Sequence, residues 1–204
     1  MNISYKRPFD LGILVVAHIF PPTLLVWAIV WASIPILIWI EDRGGIFFRQ
    51  ERVGMNGKIF SVWKFRTMVQ GAEVLGDVWT REGDERVTRV GRLLRRTGLD
   101  ELPQLLNVIK GEMSLVGPRP LAVEEQELLD SQIMGFRERL QVLPGLTGLA
   151  QLYNREDDSE EKLKYDMIYV REMGWWLDLK LLFLTVVDVV LRRRDIRIGK
   201  SSSE

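Results

Sequence analysis

The sequence predicts an α+β protein, mostly helical, in which an N-terminal membrane hairpin of helix, break and helix leads into a small β-hairpin and a polar helical domain with amphipathic, interface-seeking helices. Three observations carry this reading. No charged residue occurs between Asp10 and Glu41, so the 28 basic and 28 acidic residues of the 204-residue chain are crowded into the remainder. Pro21-Pro22 interrupts that apolar run near its middle. Beyond it, stretches of period-two and of 3.6-period hydrophobic patterning follow one another.

Unbroken, Leu11 to Ile40 would make a helix of about 45 Å, well beyond the roughly 30 Å hydrocarbon core of a bilayer. Pro21 has no N–H to donate, which leaves the Ala17 carbonyl without its helical partner and predicts a sharp bend. Bent there, residues 1–41 read as a re-entrant membrane hairpin, followed by a cytoplasmic domain over 42–199 and a disordered tail over 200–204. Lys6 and Arg7 before the run, with Arg43, Arg49 and Arg52 after it, place both ends on the cytoplasmic side by the positive-inside rule. A tilted single span is the alternative. A signal peptide fits less well, because the run is too long and ends in no small-residue cleavage pattern. Trp27, Trp31 and Trp39 suit either the membrane interface or the helix surface, and Pro35 adds a second, milder kink.

Composition narrows the chemistry. There is no cysteine and a single histidine, His18, which lies inside the apolar run. Disulfides, thiolate metal sites and imidazole acid–base chemistry are therefore poor expectations, and any catalysis falls to carboxylates and cations. Zero formal net charge and a membrane anchor argue against nucleic acid as a partner.

In the polar domain, Ile46–Val53 and Ile59–Met68 read as two strands joined through Gly54-Met55-Asn56-Gly57. Alternation puts Lys64 and Arg66 on one face and Trp63 and Phe65 on the other, so that one side packs and the other presents two cations. Residues 70–84 read as a connecting loop. Arg86, Arg89, Arg92 and Arg95 then recur every three residues on a helix whose basic stripe faces either anionic lipid or a phosphate.

That helix runs into Asp100-Glu101. Leu102, Leu105, Leu106 and Ile109 hold the i, i+3, i+4, i+7 spacing of an amphipathic helix, Gly111 ends it, and Pro103 is tolerated only in its first turn. The two carboxylates consequently stand at its N-terminus, where free N–H groups favour negative charge. Neighbouring helical residues point about 100° apart, so two different roles suit them better than one shared face. A plain N-cap aspartate followed by a first-turn glutamate is the structural alternative. In Gly117-Pro118-Arg119-Pro120, prolines on both sides fix the backbone around a guanidinium suited to a bidentate grip on phosphate. Glu124–Leu140 reads as a charged helix, Pro144–Gly148 as a turn and Glu156–Glu172 as a largely surface helix. Trp175–Leu191, interrupted by Asp178, Lys180 and Asp188, suits either the membrane interface or a core position, with Arg192-Arg193-Arg194 against headgroups.

Taken together these segments resemble the monotopic phosphoglycosyl transferases, bacterial enzymes that begin polyprenyl-linked glycan assembly, in their minimal catalytic form. The carriers are Lys6-Arg7-Pro8-Phe9-Asp10, Phe48-Arg49-Gln50-Glu51-Arg52-Val53-Gly54, Lys64-Phe65-Arg66-Thr67-Met68, Arg95-Arg96-Thr97-Gly98-Leu99-Asp100-Glu101-Leu102-Pro103-Gln104, Gly117-Pro118-Arg119-Pro120 and Pro144-Gly145-Leu146-Thr147-Gly148, in that order. The resemblance implies transfer of a sugar phosphate from a UDP-sugar to polyprenyl phosphate at the bacterial inner membrane, with release of UMP. It assigns Asp100 as nucleophile and as ligand of Mg²⁺, and Glu101 as its partner, either orienting the site or accepting a proton. Pro118, Arg119 and Pro120 would seat the nucleotide, while Lys64, Arg66 and Arg95 would neutralise phosphate charge. The chain departs from the family in having Pro21-Pro22 where Ser-Pro is common, and Leu152-Tyr153-Asn154-Arg155 where an Asn-Gly-Arg stretch is common. Two other functions fit parts of the pattern. A non-catalytic lipid-binding scaffold would release no UMP, and a hydrolase with an aspartyl intermediate would release free sugar phosphate.

Overall fold

The structure, a computed structural model, describes residues 3–19, 21–72, 83–154 and 156–191. The Arg192–Arg194 cluster and the tail lie outside them, as do residues 73–82 of the connecting loop and Arg155.

The apolar run forms two helices, α1 (Lys6–Ile19) and α2 (Pro21–Asp42). The orphan carbonyl expected at Ala17 is satisfied by a side chain, since Trp27 Nε1 donates to Ala17 O at 2.9 Å. The His18 ring stacks on Trp27 with centroids 4.6 Å apart. A continuous helix would separate positions 17 and 27 by about 15 Å, so these contacts exist only because the chain turns back at the break. The stretch Thr23–Asp42 is long and apolar enough to cross a membrane, with a mean hydropathy of 2.2.

Both ends of the hairpin are docked on the polar domain. Ile34 and Ile38 pack with Phe65 and Leu94 in a second core, joined by Val30, Trp31, Leu99 and Leu102. Ile13 and Leu14 pack against the main core of Phe60, Val62, Val108, Met113, Leu115, Val116, Val142, Tyr169, Val170 and Leu181. Between these docked ends, Val15, Val16, Ile19, Leu24, Leu25, Val26 and Ile29 are exposed.

Strands β1 (Phe47–Val53) and β2 (Ile59–Phe65) pair antiparallel, with Phe47 opposite Phe65 and Val53 opposite Ile59. Asn56 and Gly57 make the turn with positive φ, 58° and 78°, as an Asn-Gly pair does readily. The strand β2 ends at Phe65 rather than Met68; Met68 instead bridges to Val87. The expected division of faces also changes. Phe60 and Val62, on the Lys64 face, are buried in the main core, while Phe65 is buried in the second, so both faces pack.

Helix α3 (Arg89–Thr97) starts at Thr88, whose side chain accepts from Gly91 N, and Arg86 sits before it, paired with Asp84. A 3₁₀ segment, Leu99–Gln104, leads directly into α4 (Leu105–Lys110), which Gly111 ends at φ 82°. The predicted 124–140 helix is divided by Gly135, into α5 (Val123–Gln132) and a 3₁₀ segment, Phe136–Gln141. After it come α6 (Leu149–Tyr153), α7 (Ser159–Glu172) and α8 (Trp175–Val190). The largely surface character expected of α7 is overturned on one side, where Asp166, Tyr169 and Val170 are buried.

The segment read as a plain turn contains a strand, β4 (Gly145–Thr147), parallel to β3 (Ser114–Val116). A Cβ on Gly145 would lie 2.0 Å from Gly117 N, and one on Gly117 would lie 2.4 Å from Leu143 O. Only glycine permits this approach, and strands this short and this buried carry no periodic signature.

Candidate active site

Gly98, in the left-handed region at φ 71°, closes α3 and turns the chain into the 3₁₀ segment, whose first turn carries Asp100 and Glu101. The alternative of Asp100 as a plain N-cap is not realised, since Gly98 occupies that position. The two carboxylates have sharply different surroundings. Glu101 Oε1 accepts from Lys64 Nζ at 3.0 Å and from the Arg119 guanidinium at 2.7 Å. Among the described residues, none donates a hydrogen bond to the Asp100 carboxylate.

The electrostatics follow this asymmetry. Burial alone would raise the Glu101 pKa, but Arg119 and Lys64 together hold it far below the usual carboxylate range. Burial pushes Asp100 up, and the Glu101 charge adds to this against the pull of Lys64, Arg119 and Arg95. Lys64 is lowered by burial despite Glu101, whereas Arg119 is raised by the Glu101 charge. A recess beside the dyad is lined by Arg52, Val62, Lys64, Gln104, Arg119 and Pro120. Three cations converge there, and two of them, Lys64 and Arg119, also hold Glu101, a setting that favours negative charge.

Arg119 is held through its backbone. Gly145 N donates to Pro118 O at 2.9 Å, Arg139 to Arg119 O at 2.7 Å and Arg52 to Pro120 O at 2.9 Å. Three successive carbonyls are thus tied, and Pro118 and Pro120 are buried on either side of a half-buried arginine. Arg139 is itself fixed by Asp166 at 2.7 Å, with both side chains 1% exposed.

The structure brings Asp100, Glu101, Lys64, Pro118, Arg119 and Pro120 into one cluster. Arg95 lies within electrostatic reach of Asp100, its Nε donating to Thr67 Oγ1 at 2.8 Å. Arg66 is not brought to the dyad and pairs instead with Asp42 at the end of α2, although its N–H, just past β2, still donates to Ile46 O at 2.9 Å. Sequence reasoning did not single out Arg52 for the site. Burial and the Arg119 charge push its guanidinium down to about 10. The alternation of β1, which sets Gln50 and Arg52 on the inward face, was the available signal. Arg139 and Asp166 had none, since each reads as an ordinary charge on a polar helix.

For magnesium, the donor set is small. Glu101 is already engaged by two cations, and the described residues contain no group of three metal-ligating side chains. One open carboxylate, Asp100, beside an anion recess fits an ion that takes most of its ligands from phosphate oxygens and water.

The sequence model of the bacterial sugar transferases matches residues 1–192. Among similar proteins, the UDP-glucose:undecaprenyl-phosphate glucose-1-phosphate transferase of Klebsiella pneumoniae is 42% identical over 193 residues, covering 91% of this chain and 40% of that one. The UDP-N-acetylgalactosamine-undecaprenyl-phosphate N-acetylgalactosaminephosphotransferase of Aeromonas hydrophila is 38% identical, covering 89% of this chain and 42% of its own length. The exopolysaccharide production protein ExoY of Rhizobium meliloti (strain 1021) is 40% identical, covering 92% and 86%. The chain therefore spans about two fifths of the first two relatives, and most of the third. On the match over nearly its whole length, the chain belongs to the bacterial sugar transferase family.

Proposed function

We propose that the protein transfers a sugar 1-phosphate from a UDP-sugar to polyprenyl phosphate through a covalent intermediate on Asp100. The observation that carries this is the division of labour in the dyad: Glu101 is engaged by two cations through Oε1, and Asp100 accepts no hydrogen bond from the described residues. The names of the similar proteins from Klebsiella and Aeromonas, which specify sugar-phosphate transfer to undecaprenyl phosphate, support the substrate class.

In the first step an Asp100 oxygen attacks the phosphorus nearest the sugar, and the bond from that phosphorus to the bridging oxygen breaks, releasing UMP. In the second, an oxygen of the lipid phosphate attacks the same phosphorus and frees the Asp100 carboxylate. A carboxylate nucleophile needs no deprotonation at neutral pH. Neither does the acceptor need much help, since a phosphate monoester with a second pKa near 6 is largely dianionic. This favours the orienting role for Glu101, which keeps Lys64 and Arg119 aimed at the charge that develops on the phosphoryl group. Mg²⁺ held by Asp100 and the diphosphate would supply further charge neutralisation. UMP release from a UDP-sugar that depends on added polyprenyl phosphate tests the proposal. No UMP, or free sugar phosphate without lipid product, contradicts it.

The hairpin supports a re-entrant arrangement at the cytoplasmic face of the inner membrane. Lys6 at its start and Asp42 at its end both pair with side chains of one domain, and the Ala17 carbonyl is satisfied internally, as a bilayer interior requires. On α8, Trp176, Leu179, Phe183 and Val186 are exposed at helical spacing while Asp178 and Leu181 are buried opposite them. A helix of this kind lies along an interface and seats the site at the depth of a lipid phosphate. In this cysteine-free chain, Ser4→Cys and the fully exposed Met134→Cys should both resist an impermeant thiol reagent in intact cells and react after lysis. Labelling of position 4 alone in intact cells would establish a single span.

Two further results are expected. Chelation should stop turnover and leave the melting temperature nearly unchanged, since a single protein carboxylate contributes little to a fold through the metal; a large loss of stability would indicate a structural ion. Because burial raises the Asp100 pKa, its carboxyl in the metal-free protein should titrate above the usual aspartate value of about 3.9, and added Mg²⁺ should draw it down. A metal-free midpoint at or below that value, followed by carboxyl NMR, contradicts the reading of its surroundings.

A further inference from the structure

The first turn of α1 touches both chain segments that deliver the site, through adjacent residues. Lys6, 2% exposed, donates to Val116 O at 2.7 Å, to the Tyr169 hydroxyl at 2.8 Å and to Asp178 Oδ2 at 2.8 Å. The Tyr169 hydroxyl donates to Asp178 Oδ1 at 2.8 Å and lies 3.0 Å from the same Val116 carbonyl. Val116 is the last residue of β3, and Gly117-Pro118-Arg119 follows directly. One turn further along α1, Asp10 accepts from Leu115 N at 3.2 Å in the same strand. Beside Lys6, the exposed Arg7 directs its two terminal nitrogens to the carbonyls of Val108 and Ile109. Those carbonyls belong to the last turn of α4, the helical continuation of the segment that begins with Asp100 and Glu101. A cation is well placed there, against the negative end of a helix. The two segments meet again at their reactive ends, in the 2.7 Å pair of Arg119 with Glu101.

The opposite end of the hairpin has a similar part. The Glu41 carboxylate accepts from Arg89 N at 2.7 Å and Val90 N at 3.0 Å, and so caps α3, which carries Arg95. The flanking Lys6-Arg7 pair, read from sequence as a positive-inside signal, is committed to the domain interior and to a helix end. Lipid-facing positions begin about two turns later, at Val15 and Val16.

We infer that Lys6 and Arg7 are positioning residues for the transfer reaction. Lys6 fixes the strand that ends in the Arg119 loop, and Arg7 fixes the far end of the helical segment that begins with Asp100-Glu101. The distance between nucleophile and arginine then depends on where α1 enters the domain, and small displacements of reacting groups are costly in rate. This rests on the transferase reading for its kinetic consequence, though not for its structural one.

Arg7→Met tests it without stranding a buried charge, since Arg7 is exposed. Two quantities are followed in the full-length, membrane-extracted protein: hydrogen exchange over residues 98–121, and single-turnover formation of the phosphosugar adduct from a UDP-sugar. The expected result is faster exchange in that region and an adduct rate lower by about ten- to a hundredfold, with burst amplitude retained and partial rescue by Arg7→Lys. The double variant Lys6→Met with Asp178→Leu should show the same pattern centred on residues 114–120. Unchanged exchange, or an unchanged rate with a smaller amplitude, overturns the inference, the latter showing mere loss of folded protein. If the wild type forms no adduct, the transferase reading fails, and the exchange result alone decides whether the first turn of α1 holds the site.

Discussion

Asp100→Asn should abolish both UMP release and covalent labelling, a loss of at least about a thousandfold, because the amide keeps the shape of the side chain but cannot attack phosphorus. It should leave the melting temperature unchanged or higher. The direction comes from proton linkage. A carboxyl whose pKa is raised on folding binds its proton more tightly in the folded state, so its contribution is present below the unfolded pKa and lost as pH rises through the folded one. Asp100 is such a group, and at neutral pH its buried charge opposes folding. Glu101→Gln should behave differently. Glu101 is held low and stays ionised across any assay pH, and its removal leaves Lys64 and Arg119 without their shared partner. Turnover should fall about ten- to a hundredfold, labelling of Asp100 should persist, and stability should drop. Equal losses in the two variants with labelling intact in both would remove the distinction drawn between the carboxylates.

The largest effect on stability is expected far from the dyad, at Lys6. Its ammonium and the Asp178 carboxylate are 3% and 0% exposed. Removing one member of a buried ion pair strands the other without solvent, at a cost of about 3–5 kcal/mol. Lys6→Met should therefore unfold at much lower denaturant or temperature than wild type, as should Asp178→Leu. The double variant should recover part of the loss, since no charge is left stranded although the Tyr5 and Tyr169 hydroxyls lose Asp178 as an acceptor. Losses that simply add in the double variant would show that the pair is not coupled.

Pro21-Pro22, Asn56-Gly57 and Gly111 each act over a few residues, through a missing donor or a positive φ, and each marks its element in the structure. The Leu102 to Ile109 spacing predicted one amphipathic helix, but the segment divides into a 3₁₀ stretch and α4, Leu102 and Leu105 pack against different cores, and Leu106 and Ile109 are exposed. The Asp100-Glu101 and Arg119 segments were also visible, because an acidic pair beside proline and an arginine between prolines are unusual locally. Long-range pairing was not visible. Nothing near Lys6 announces Asp178, 172 residues away. Nothing near Arg139 announces Asp166, and the parallel contact of β3 with β4 is set by two glycines whose backbones meet across the fold. Arg66 illustrates the same limit, since alternation placed it beside Lys64 while its partner, Asp42 at the close of α2, lies 24 residues away in the chain.

The central claim is a covalent bond between the sugar phosphate and Asp100. It is tested most directly by mass spectrometry of full-length protein mixed with a UDP-sugar and magnesium, quenched without lipid acceptor and digested. The expected result is a phosphosugar adduct on Asp100 that forms with release of UMP and disappears when polyprenyl phosphate is added before the quench. An adduct on Glu101 would reverse the two roles. Turnover to the lipid product with no protein adduct, or full activity in Asp100→Asn, would contradict covalent catalysis at this site.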